Sequence, residues 1–246
     1  MFELTISTTA DKQSYIDDIY QKLGLEVKKD LGVIARQNYG GRSYLGLAVK
    51  PEKKEYYKAK ILDHIVYMIA DDYKQEFFKE RLELPSTSVI FDSFLKAITV
   101  FDYNLDKEII RENIELSGEI LVDSLYYFKL GELRSRWLRT AEIIASNKIL
   151  QSVPSMIEVL SYLTSTSENR AIVTEIHLGK KQIKLKNFSK FKIYKRNFEG
   201  VSEFFTELVR LNPLKINLKM IGISENTDEV TDILNKIFYD KIYLKK

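Results

Sequence analysis

The chain has 246 residues, 45% of them apolar, with 4 Pro and 10 Gly, a composition that sustains a core and excludes collagen-like and low-complexity chains. Cysteine is absent, which excludes disulfides, thiolate nucleophiles, zinc ribbons and iron–sulfur sites and leads us to expect a cytoplasmic location. The net charge of +3 is uneven: residues 171–246 carry 15 Lys/Arg against 9 Asp/Glu, so the excess of base lies at the C-terminal end.

The first residues, Met-Phe-Glu-Leu-Thr-Ile, lack the basic start and apolar run of a signal peptide. Phe2, Leu4 and Ile6 alternate as in a half-buried strand, and Tyr15, Ile16, Ile19, Tyr20 and Leu23 share one face of a helix over 11–23. Two β-rich runs, 31–36 and 43–49, flank Tyr39-Gly40-Gly41, a hairpin signal because glycine adopts positive φ cheaply. Residues 1–50 therefore read as a small α/β unit.

Residues 51–168 read as helical. Ile61, Leu62, Ile65, Ile69 and Tyr73 recur at spacings of three and four within 55–80. Pro85 interrupts the pattern, and Ser86 or Ser88 is placed to cap a helix with the stripe Ile90, Phe91, Phe94, Leu95, Ile98 and Phe101. A shorter helix is expected to start near Asp106, with that carboxylate as its cap. Residues 118–130 suit either strand or loop. A long helix then brings Leu133, Trp137, Ala141 and Ile144 into register until Pro154, and a further helical piece covers 156–163.

Residues 169–246 return to mixed structure. Strands are expected at 172–178, 182–186 and 191–194, then a helix over 201–211 closed by Asn212-Pro213, and a strand at 214–220. A helix carrying Val230, Ile233, Leu234 and Ile237 and a last strand at 242–244 follow. The expected fold is α+β, a helical central region between two small α/β units. Charges interrupt every apolar run, so none reaches the roughly 20 residues of a transmembrane segment.

The chemical inventory is sparse. Gly41 and Gly46 have P-loop spacing, but Leu47 stands where the phosphate-binding lysine belongs. Asp102, Asn104 and Asp106 alternate like calcium ligands, but Lys107 replaces the required glycine and Asn113 the bidentate glutamate. We therefore assign no catalytic residue, no metal site and no cofactor from the sequence. His64, with Asp71 two turns further on, and His177, after Glu175-Ile176, mark where an unrecognised enzyme site would lie. Arg136 and Arg139 share a helix face beside Trp137 and suit a carboxylate or phosphate. The strongest pattern is the basic hairpin 179–196. Lys184 and Lys186 alternate with Ile183 and Leu185, and Lys190 and Lys192 with Phe191 and Ile193. Period two places those four lysines on one face, a surface for nucleic acid or another polyanion.

Three blocks carry a resemblance. Asp123-Ser124-Leu125-Tyr126-Tyr127-Phe128-Lys129-Leu130 leads into the Trp137 helix, Glu175-Ile176-His177-Leu178 follows the central helices, and Asn212-Pro213-Leu214-Lys215-Ile216 joins a helix to a strand. Together they resemble the YtxC-like family of sporulation proteins from endospore-forming Firmicutes, over residues 102–246. Ser124 and Lys129 depart from the family pattern, which favours an acid or glycine and an arginine there. The resemblance implies a non-enzymatic role in sporulation through contacts with an unidentified protein partner, and it carries over no catalytic residue.

Overall fold

The structure is a computed structural model that describes residues 1–82, 88–166, 171–178, 183–188, 193–198, 200–220 and 225–244. In chain order its first elements are β1 (Phe2–Thr9), α1 (Gln13–Lys29), β2 (Val33–Tyr39), β3 (Arg42–Val49), α2 (Lys54–Tyr67) and α3 (Lys74–Leu82). Then come α4 (Val89–Val100), α5 (Tyr103–Asn113), β4 (Gly118–Leu121), α6 (Val122–Phe128), α7 (Gly131–Ser146) and α8 (Val153–Thr166). The last are β5 (Ala171–Leu178), β6 (Ile183–Phe188), β7 (Ile193–Phe198), α9 (Val201–Leu211), β8 (Pro213–Met220), α10 (Glu225–Phe238) and β9 (Ile242–Leu244). The fold is mixed α+β, and among the described residues no helix is long and apolar enough to cross a membrane.

Where the sequence suggested three consecutive segments, contacts gather the chain into two units, each made of two stretches. One comprises Met1–Glu76 and Asp102–Arg139, the other Phe77–Phe101 and Thr140–Lys246. The central helices are thus shared out between the two units.

The first unit is built on a four-stranded sheet of order β2-β3-β1-β4. Leu4 lies opposite Leu47 and Ile6 opposite Leu45, and all four are buried. The α1 residues Ile16, Ile19, Leu23 and Val27, spaced at three and four, are buried as well. Each such aliphatic side chain contributes about 1.5–3 kcal/mol relative to leaving it in water. Gly40 and Gly41 have φ of +58° and +76° and form the two-residue hairpin between β2 and β3. β4 lies within the stretch that suited strand or loop. It pairs parallel to β1, with Ile120 beside Ile6. Arg42 then clamps α6 to β3 through two bonds to Asp123, at 2.8 and 2.9 Å.

Between α2 and α3 the helix widens into a π-helical turn, Met68–Tyr73. Lys74 follows directly, and its ammonium is buried against Asp106 of α5 at 2.6 Å, while Trp137 donates to the other carboxylate oxygen at 3.3 Å. Asp106 is therefore a buried partner inside α5 and not its cap. The N-cap residue is Asp102, in the left-handed region with φ of 56°.

The second unit holds a five-stranded sheet of order β7-β6-β5-β8-β9. β5, β6 and β7 are antiparallel neighbours, and β8 and β9 run parallel to β5. Asn212, with φ of 37°, ends α9 and turns the chain into β8 at Pro213. Lys241 is buried and donates to Thr164 O at 2.7 Å and to Asn212 Oδ1 at 2.9 Å, which joins the end of α8 to the α9–β8 corner. Burial lowers its pKa.

Candidate functional site

Strand alternation sorts the C-terminal sheet into two faces. On one, Thr174, Ile176, Leu185, Phe198, Ile216 and Leu218 are buried. Phe204 of α9 meets Phe198 edge-on, with 5.8 Å between ring centres. Arg196, in register with Leu185, pairs with Glu203 of α9.

The second face is basic. Across it Lys195, Lys186, Glu175, Asn217 and Tyr243 follow one another in register, one from each strand. The next row holds Asn197, Lys184, His177 and Lys219. Lys215 stands on the other side of the first row, two residues before Asn217 on β8 and in register with Val173, with its ammonium 4.2 Å from the centre of the Tyr243 ring. Lys195, Asn197 and Tyr243 are exposed and Lys215 and Lys219 partly so, whereas Glu175 and His177 are mostly buried and Asn217 is buried. Among these positions Glu175 is the only acid. Its carboxylate lies 3.5 Å from Lys219 Nζ and 3.4 Å from His177 Nε2, so Lys219 already offsets its charge.

Neighbouring strands lie about 4.8 Å apart, and alternate residues of one strand about 6.8 Å apart. Lys195, Lys215 and Lys219 on this face, against one compensated glutamate, give it a positive potential. Lys184 and Lys186 lie in register with His177 and Glu175 of β5. Lys190 and Lys192 lie outside the described residues. The strand expected at 191–194 instead spans Ile193–Phe198, which brings Phe198 into the core and sets Lys195 opposite Lys186. Lys215 and Lys219 were not singled out in the sequence, although they alternate with Ile216 and Leu218 just as the hairpin lysines do.

The other sequence candidates part company. Arg136 comes within 4.0 Å of Asp102, and Arg139 Nε reaches the carbonyl of Ser135 at 3.4 Å, so the two engage different neighbours. His64 and Asp71 do not share a face as a regular helix would have it. The π-helical turn adds a residue to the turn between them, and Asp71 is buried while His64 faces α1.

There His64 lines a cleft of about 360 Å³ with Ser14, Tyr15, Asp18, Ile19, Lys22 and Tyr67. Glu26 of α1 meets Tyr56 and Lys60 of α2, and Asp30 accepts from Tyr57 at 2.9 Å, so the two helices run antiparallel with the cleft toward the start of α1. Asp18 takes an ion pair from Lys22 at 2.6 Å and stands 3.9 Å from His64 Nδ1. Burial, with Lys22 adding to it, lowers the His64 pKa and favours the neutral imidazole. Burial, reinforced by a hydrogen bond to Asp72, holds the Tyr15 hydroxyl protonated. Among the described residues no group of three or more His, Asp or Glu is placed to hold a metal ion.

Compared with protein-family models, curated proteins and solved structures, the chain matches none of them.

Proposed function

We propose that this chain is a nucleic-acid-binding protein whose working surface is the basic face of the C-terminal sheet. The observation that carries the reading is the in-register array of Lys184, Lys186, Lys195, Lys215 and Lys219 around the single compensated acid Glu175. Tyr243, exposed at the edge of the same face with the Lys215 ammonium 4.2 Å from its ring centre, is the aromatic residue a base would meet there.

The setting we propose is spore formation, supported by the resemblance of residues 123–130, 175–178 and 212–216 to the YtxC-like proteins. Protein partners of the kind that resemblance implies would then meet a nucleic-acid-bound chain. Deleting the gene in a spore-forming host is expected to lower spore yield or resistance, and unchanged sporulation would remove this setting.

Binding itself is tested by a salt titration with a labelled 20-nucleotide single strand. For about four phosphate contacts the affinity is expected to fall roughly 50-fold between 50 and 200 mM salt. No binding at 50 mM, or binding indifferent to salt, counts against the proposal.

A further inference from the structure

The α1–α2 cleft lies in the first unit. We propose that it is a binding site for a small oxyanion of the phosphate type. Its volume of about 360 Å³ falls within the range of small-molecule sites. Its polar lining is dominated by donors: the Lys22 ammonium, the His64 imidazole and the Ser14 hydroxyl, set around the apolar floor of Ile19. The one carboxylate that faces it, Asp18, is engaged by Lys22 at 2.6 Å. The imidazole Nδ1 stands 3.9 Å from Asp18 Oδ2, beyond hydrogen-bond range.

The charges around His64 are Lys22 and Asp18 from α1 and Asp63 and Lys60 from α2, with the Tyr15 and Tyr67 hydroxyls in the same wall. Asp18 Oδ2 is shared by Lys22 Nζ at 2.6 Å and His64 Nδ1 at 3.9 Å, and a phosphate bound in the cleft adds a second negative charge beside both cations. It therefore stabilises imidazolium.

The chain has two histidines, so the imidazole C2–H resonances form a two-signal proton spectrum that a His64→Gln variant assigns. The pH titration of those signals is followed in inorganic phosphate and in sodium chloride of equal ionic strength. The expected result is a rise of about half a pH unit or more in the His64 midpoint in phosphate. The exposed Lys22→Gln variant is expected to lose that rise while keeping its fold. An unchanged His64 midpoint in phosphate, or an undiminished rise in Lys22→Gln, overturns the site. The His177 signal reports separately on the sheet face, so either site can fail without the other.

Discussion

Lys74 and Asp106 form an ion pair in which both side chains are almost wholly withdrawn from water, with 2.6 Å between Nζ and Oδ2. Burial alone pushes the lysine pKa down and the aspartate pKa up, and their mutual attraction opposes both shifts. Trp137 binds the remaining carboxylate oxygen, and its ring lies 5.8 Å from the same ammonium. The pair joins the end of the π-helical turn to α5 and α7 inside the first unit.

Removing one charge leaves the other buried and uncompensated. Asp106→Ala is expected to cost about 3–5 kcal/mol of unfolding free energy. The double variant Lys74→Met, Asp106→Leu is expected to recover most of that loss. Urea unfolding of the three proteins measures both effects, and a double variant no better than Asp106→Ala would refute the account of the pair.

Leu31 closes α1 in the left-handed region, φ 57°, while Gly32 N donates to Val27 O at 2.9 Å. That position usually belongs to glycine, and here the side chain is exposed with little packing to lose. Leu31→Gly is expected to stabilise the first unit by about 1 kcal/mol. The exchange with Gly32 fails for a different reason. A Cβ at 32 would meet Ala48 O and Val27 Cγ1 at 2.9 Å, so Gly32→Ala destabilises. Thermal melts of both variants give the signs.

Some of this was legible in the chain. The β2–β3 hairpin was, because its glycine pair acts within four residues. The buried stripe of α1 was too, because periodicity is local. β4 was not, since its four residues become a strand only beside β1, far away in sequence. Nor was the role of Asp106, whose partners come from α3 and α7. The π-helical turn breaks the very periodicity from which a His64–Asp71 face was inferred. Alternation singled out Lys184 and Lys186 on β6, but the strand order that sets β8, with Lys215 and Lys219, on the far side of β5 is not written in local sequence.

His64 makes stability depend on pH in a defined direction. Its folded pKa lies below the ordinary value of 6.5, so the unfolded chain binds a proton more readily. Stability is therefore complete well above pH 6.5 and is lost as pH falls from there toward the folded pKa. His64→Gln removes that component. The wild-type protein is expected to lose more unfolding free energy than His64→Gln between pH 7.5 and 5.5, as measured by denaturant titration at both values. Equal losses would show that the imidazole is as easily protonated in the folded state.

The most direct test of the basic face reverses two of its charges. Anisotropy of a labelled single strand at low salt compares the wild-type protein with Lys195→Glu, Lys219→Glu and with a charge-matched control, Lys28→Glu, Lys29→Glu, on α1. Affinity is expected to be roughly tenfold or more weaker for the sheet variant and little changed for the control. Equal weakening of both would show that net charge, and not this face, holds the nucleic acid, and would contradict the proposal.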